Sequence, residues 1–277
     1  MITLKNINFG YDKRKPLFKE LSLHLEGGHI YGLLGKNGAG KTTLLKLIAG
    51  LRFASSGNAA VLGQPAALRK QETLEQISFL PEEMFAPHLK ISCFIDTYAP
   101  FYPNFSKEQF YEYLSEFEVE DRNAPIHKLS HGQKKKVLIA FALAQNTKIL
   151  IMDEPTNGLD IPSKSIFRRL MAQTATDERV ILISTHQVRD LHSLIDAVVI
   201  VDNGEIVLHK SNYEITQKLL FSIEDEEDKL TIYAEDTLRG RFAVKENPHQ
   251  KESPMDIELF FNAVMMNKER IKQIFNN

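Results

Sequence analysis

The 277-residue sequence contains no tryptophan and one cysteine, Cys93. A single thiol cannot close an intrachain disulfide, so packing and hydrogen bonding must hold the fold, and a reducing compartment is expected. Long hydrophobic runs are also missing. The longest plainly apolar one, Val137 to Ala144, is far shorter than the roughly 20 residues a bilayer-spanning helix needs. The first residues, Met1-Ile2-Thr3-Leu4-Lys5, lack the charged-then-apolar pattern of a secretory signal. Any membrane role would therefore need another polypeptide to cross the bilayer. No basic excess exists either: 34 Lys and Arg stand against 36 Asp and Glu, so a phosphate-backbone partner is not expected. With 43% hydrophobic residues the chain can still bury a sizeable core.

Apolar runs alternate with helical stretches, which predicts an α/β protein. Ile2 to Phe9 and the Leu21, Leu23, Leu25 series alternate as half-buried strands, and Ile30 to Leu34 is a short run halted by glycine. Ile149 to Met152, Val180 to Ile183 and Val198 to Val201 suit buried parallel strands. Asn203-Gly204 predicts a hairpin to Ile206–Leu208. Residues Pro81 to Lys128 are rich in aromatics and proline from Phe85 to Phe105. They continue as a helix from Ser106 to Phe117, opened by Ser106-Lys107-Glu108-Gln109 as a capping box. After about His209 the pattern weakens: an acidic cluster, Glu224 to Asp228, precedes a strand over Lys229 to Ala234 and a helix from Pro254 onward. This divides the chain into a main domain, 1–210, with a helical insertion at about 82–145, and a small extension, 211–277.

Gly35-Lys36-Asn37-Gly38-Ala39-Gly40-Lys41-Thr42 matches G-x-x-x-x-G-K-[ST] at every fixed position, between a strand and a helical run from Thr43 to Ala49. Glycines let backbone N–H groups converge on phosphate oxygens at a helix N-terminus. Lys41 brings a point charge to the outer phosphates, and the Thr42 hydroxyl suits Mg²⁺. Downstream, Ile149–Met152 run into Asp153-Glu154-Pro155, which places two carboxylates at a strand's C-terminal end. Asp153 would hold the metal through water, and Glu154 would orient and polarise an attacking water.

Between these motifs lies Leu129-Ser130-His131-Gly132-Gln133, which resembles the Leu-Ser-Gly-Gly-Gln signature of ATP-binding cassette proteins, with His131 replacing a glycine. Asn157-Gly158-Leu159-Asp160 resembles that family's dimer-contact loop, Ile183-Ser184-Thr185-His186 its switch histidine, and Tyr11 its adenine-stacking aromatic. The resemblance covers roughly residues 1–210. It implies a P-loop NTPase fold with a parallel sheet core, an antiparallel N-terminal β-subdomain, an inserted helical subdomain and a small C-terminal extension. It also implies an ATPase using ATP and Mg²⁺. Tyr11 and Gly35, Lys36, Asn37, Gly38, Ala39, Gly40, Lys41, Thr42 and Thr43 would bind nucleotide, with Glu154 and His186 catalytic and Thr42, Asp153 and Glu82 at the metal.

In the family two cassettes pair head to tail, so Ser130, His131, Gly132 and Gln133 would serve the partner's γ-phosphate and Asp160 would join the halves. The second cassette is an identical chain or a paralogue. A separate transmembrane permease would hold the pair on the cytoplasmic face of the membrane, with the aromatic-rich stretch as its contact. An exporter is the favoured expectation; an importer or a soluble non-transport cassette is the alternative. Two departures stand out. Glu82, in Pro81-Glu82-Glu83, occupies the position where the family usually has glutamine, and His131 puts a side chain where the backbone approaches phosphate. Lys134-Lys135-Lys136 reads as a solvated helix face.

Overall fold

The computed structural model describes residues 1–12, 14–83, 86–224, 229–238 and 240–276. In chain order the elements are β1 (Ile2–Phe9), β2 (Phe18–Leu25), β3 (His29–Leu34), α1 (Lys41–Ile48), β4 (Ser56–Val61), β5 (Gln64–Pro65), α2 (Gln71–Leu74) and β6 (Ile77–Leu80). Three helices follow, α3 (Ile91–Tyr98), α4 (Lys107–Glu116) and α5 (His131–Ala144). Then come β7 (Ile149–Asp153), α6 (Ile161–Thr174), β8 (Val180–Ser184), β9 (Ala197–Asp202) and β10 (Glu205–Ser211). The chain finishes with α7 (Asn212–Lys218), β11 (Leu219–Glu224), β12 (Thr231–Thr237), β13 (Gly240–Glu246), α8 (Ile257–Met266) and α9 (Lys268–Asn276).

The central sheet runs β10-β9-β3-β8-β7-β6. It is parallel except for β10, which closes one edge as the antiparallel arm of a hairpin with Asn203 and Gly204 both at positive φ. Every residue of β7, β8 and β9 is buried, because the sheet is covered on both faces. The two-residue period sorts them. Ile149, Ile151, Val180, Leu182, Val199 and Val201 face α1 and the antiparallel sheet β2-β1-β4-β5. Leu150, Met152, Ile181, Ile183, Val198 and Ile200 face the other way, into a core shared with α3 to α6. Three helices, α3, α4 and α5, fill the connection between the neighbouring parallel strands β6 and β7.

Three details differ from the sequence reading. Ser106 accepts from the Gln109 backbone N–H, but the reciprocal half of the expected capping box is absent: the Ser106 N–H donates to the Ala144 carbonyl at 2.9 Å, and Gln109 Oε1 takes the Asn146 side-chain amide at 2.7 Å. The tail holds three strands rather than one, in a β11-β13-β12 sheet that the sequence pattern did not disclose. Its acidic cluster lies outside the described residues except for Glu224, which is buried in β11 and paired with Lys245. Finally, the last helical stretch is two helices, parted at Asn267. Phe221, Ile232, Val244, Ile257, Phe260, Val264 and Ile271 of this tail belong to the same core as α3 to α6. Among the described residues no helix is long and apolar enough to cross a membrane.

Candidate nucleotide-binding site

Parallel strands deliver their following loops to one edge of the sheet, and here β3, β6, β7 and β8 deliver Gly35, Pro81, Glu154 and Thr185. The result is a cleft of about 540 Å³ lined by Tyr11, Lys41, Thr42, Glu82, Asp153, Glu154 and His186, among others. The loop after β3 curls around it. Gly38 (φ 81°) and Gly40 (φ 104°) hold left-handed backbone, and a Cβ on Gly40 would sit 2.7 Å from the Phe18 ring. Lys41 Nζ donates to the Gly35 and Lys36 carbonyls at 2.8 and 3.4 Å, so its ammonium lies within the loop that it completes.

Asp153 is almost wholly buried, and a buried carboxylate must be hydrogen-bonded. Thr42 Oγ1 donates to its Oδ2 at 2.6 Å, and the Ser184 hydroxyl donates to its Oδ1. Glu154 follows with φ 47°, a left-handed geometry that costs a non-glycine residue about 1–2 kcal/mol. Its N–H donates to Ser184 O at 3.1 Å, and Lys135 Nζ donates to its carbonyl at 2.8 Å. Its carboxylate meets His186 twice: Nδ1 lies 2.8 Å from Oε1, and the His186 N–H donates to Oε2 at 3.3 Å. The two residues come from β7 and β8 ends that sheet pairing makes neighbours.

Glu82 reaches the cleft from the loop after β6, accepting from the Asn157 amide at 3.3 Å. Tyr11 lies across the first turn of α1, its hydroxyl 2.9 Å from Thr43 Oγ1 and its ring edge-on to Phe9. Tyr11 is 64% exposed, and the Arg52 guanidinium lies over its ring, 5.6 Å from the centroid. Ser130 and Gln133 form a complete capping box at the start of α5, with bonds of 3.2 and 3.1 Å. His131 is the first residue of that helix and has no positive φ. Its ring folds onto Gly158, where a Cβ would lie 2.7 Å from His131 Cδ2. The side chain is accommodated within its own chain, by a glycine. Asp160 caps α6, and the bonds from Ser163 hold its carboxyl below the usual range.

The structure thus gathers Tyr11, the loop 35–43, Glu82, Asp153, Glu154 and His186 in one cleft, while Ser130 to Gln133 and Asp160 stand at exposed helix starts outside its lining. Sequence reading missed Lys135, taken for a solvated residue yet 1% exposed, and gave no part to Ser184 or Asn157. Of the aromatic-rich stretch, Phe94, Tyr102 and Phe105 converge on Phe141 in the core, and Phe101 is exposed. Phe85 lies outside the described residues.

The cleft's donor set fits a nucleoside triphosphate with Mg²⁺. Hydroxyl and carboxylate oxygens adjoin a glycine-lined, lysine-bearing loop. Among the described residues no three His, Cys, Asp or Glu side chains could hold a metal by themselves. Such a loop, fold and carboxylate pair define a P-loop nucleotide hydrolase.

The particular family is the ABC transporter family, whose model matches residues 18–157, and this chain belongs to it. It is 30% identical over 249 residues to the ABC transporter ATP-binding protein NatA of Bacillus subtilis, covering 87% of this chain and 99% of that one. It is 28% identical over 228 residues to the Nod factor export ATP-binding protein I of Cupriavidus pinatubonensis, covering 80% and 69%. The solved structure of an ATP binding subunit of an ABC transporter superposes with a TM-score of 0.70 at 26% identity, over 78% of this chain and 91% of that one. The chain is an ATP-binding cassette and an ATPase.

Proposed function

We propose that this cassette powers a membrane exporter by closing on ATP as a head-to-tail pair and reopening after hydrolysis. The observation that carries the reading is the convergence of Lys41, the Thr42–Asp153 contact and the Glu154–His186 pair in one cleft. Tyr11 stacks on the base, and the N–H groups of residues 35–43 cradle the phosphates with Lys41. Thr42, Asp153 and Glu82 would hold Mg²⁺, which would supply positive charge against the phosphates. Glu154 orients the attacking water and accepts its proton, and His186 fixes the Glu154 carboxylate and bonds the γ-phosphate.

The capped start of α5 presents Ser130 and Gly132 outward, suited to the partner cassette's γ-phosphate, and the exposed loop at Asp160 suits the junction between halves. A separate permease would carry the cargo and keep the pair at the inner membrane face. Export is supported by the likeness to a Nod factor export protein and by the Pro81-Glu82 loop.

Mg²⁺-dependent ATPase activity against protein concentration tests the engine. A rate rising faster than linearly is expected, with Lys41→Ala and Glu154→Gln each lowering kcat by about 100-fold or more, while Glu154→Gln still binds ATP. A linear rate would refute the paired mechanism, and full activity in Glu154→Gln would refute the hydrolytic role of Glu154. Direction is read in inside-out membrane vesicles holding the permease: ATP-driven cargo accumulation supports export and ATP-driven loss supports import.

A further inference from the structure

Lysine is almost never fully buried unless paired, and burial without compensation neutralises it. Lys135 is 1% exposed, between partly exposed Lys134 and Lys136. Its ammonium donates to the Glu154 main-chain carbonyl, 2.8 Å away. Burial pushes its pKa down, and the carboxylates of Glu82, Glu154 and Asp153, in that order, push back.

Two local features need such a cation. Glu154 holds left-handed backbone at φ 47°, a state that persists in a non-glycine residue only where its surroundings over-determine it. Glu82, itself exposed, adds a third carboxylate to a cleft that already holds the buried Asp153 and Glu154, and like charges gathered in one cleft repel. Lys135 answers both. It lies little more than one turn into α5, below the Ser130–Gln133 cap, so the same helix that presents Ser130 also grips the end of β7.

Building on the hydrolytic roles given above to Glu154 and Glu82, we propose that Lys135 is a positioning residue. Its ammonium anchors the main chain of Glu154 and supplies the positive charge that lets a glutamate stand at position 82.

The test is a cycle of Lys135→Gln, Glu82→Gln and the double variant, read by kcat, ATP affinity at equilibrium and thermal melting. Lys135→Gln keeps a side-chain donor for the Glu154 carbonyl but removes the charge. It should lower kcat by about 10-fold and leave ATP affinity within about 2-fold. In the Glu82→Gln background the same replacement should cost about 3-fold or less, since one repelling charge is gone. Lys135→Met removes donor and charge together and should fall further than Lys135→Gln; should it not melt cooperatively, the glutamine cycle decides alone. A wild-type kcat in Lys135→Gln, or an equal loss with and without Glu82, overturns the proposal. A wild-type chain that binds no ATP refutes the functional reading itself, before any variant is made, and this inference with it.

Discussion

Individual residues here are governed by what surrounds them more than by their own type. Lys135 and Lys136 are identical neighbours in sequence, yet one helical step turns the first into the core and leaves the second partly in water. Ser184 sits inside a tetrapeptide chosen for its histidine, and its hydroxyl proves to hold Asp153. His209 shows how burial becomes pH dependence. It packs on Tyr31 with ring centroids 5.6 Å apart, and burial lowers its pKa, while Glu214 pulls the other way. As pH falls through the ordinary histidine value of 6.5, the unfolded chain takes up the proton before the folded one. This stability is therefore intact above that pH and is lost as acidification approaches the lower folded pKa. Replacing His209 by Gln should flatten the dependence of the urea midpoint between about pH 7 and 5. An undiminished slope would assign the acid sensitivity to other groups.

Elements are specified by end signals, and those signals are only partly local. Ser106-Lys107-Glu108-Gln109 and Ser130-His131-Gly132-Gln133 have the same capping form, but only the second closes in both directions. The difference comes from the end of α5, far along the chain, where the Ala144 carbonyl takes the Ser106 N–H and Asn146 donates to Gln109 Oε1. Ser211 and Glu214 close another complete box at the start of α7, where the sequence pattern had already weakened. Ser211→Ala should destabilise the protein by about 1 kcal/mol, measured by urea unfolding. A loss near zero would mean that α7 is held by packing alone. Strands were easier to read than caps. The apolar runs of β7, β8 and β9 are buried on both faces, whereas β11 and β13 carry mixed residues in a small sheet with one packed side.

At the scale of the whole molecule two cores sandwich the central sheet, and the tail is part of one of them. Helix α8 lies against residues 188–190, just beyond His186, and Glu258 of α8 pairs with Arg189. Deleting residues 211–277 would strip α7 and α9 from β10 and α8 from residues 188–190, uncovering part of the shared core, and each large apolar side chain returned to water forfeits about 1.5–3 kcal/mol. Against a total stability of about 5–15 kcal/mol, the shortened chain should express as insoluble protein or melt without cooperativity. A soluble fragment with an unchanged melting temperature would show instead that the tail is an independent appendage.

The sequence by itself determined where the glycine-rich loop after β3, the Asp153-Glu154 pair, Ser130 and His186 stand in the fold, because each sits in a short segment beside an apolar strand or helix. A strand followed by a glycine loop carries its own instructions: local backbone geometry and a two-residue burial period suffice to place it. Only the tertiary structure decided that Lys135 is buried under Glu154, that His131 rests on Gly158 and that the tail joins the core. Those outcomes depend on contacts between segments far apart in the chain, and burial of a charge or a mixed strand is settled by what packs against it.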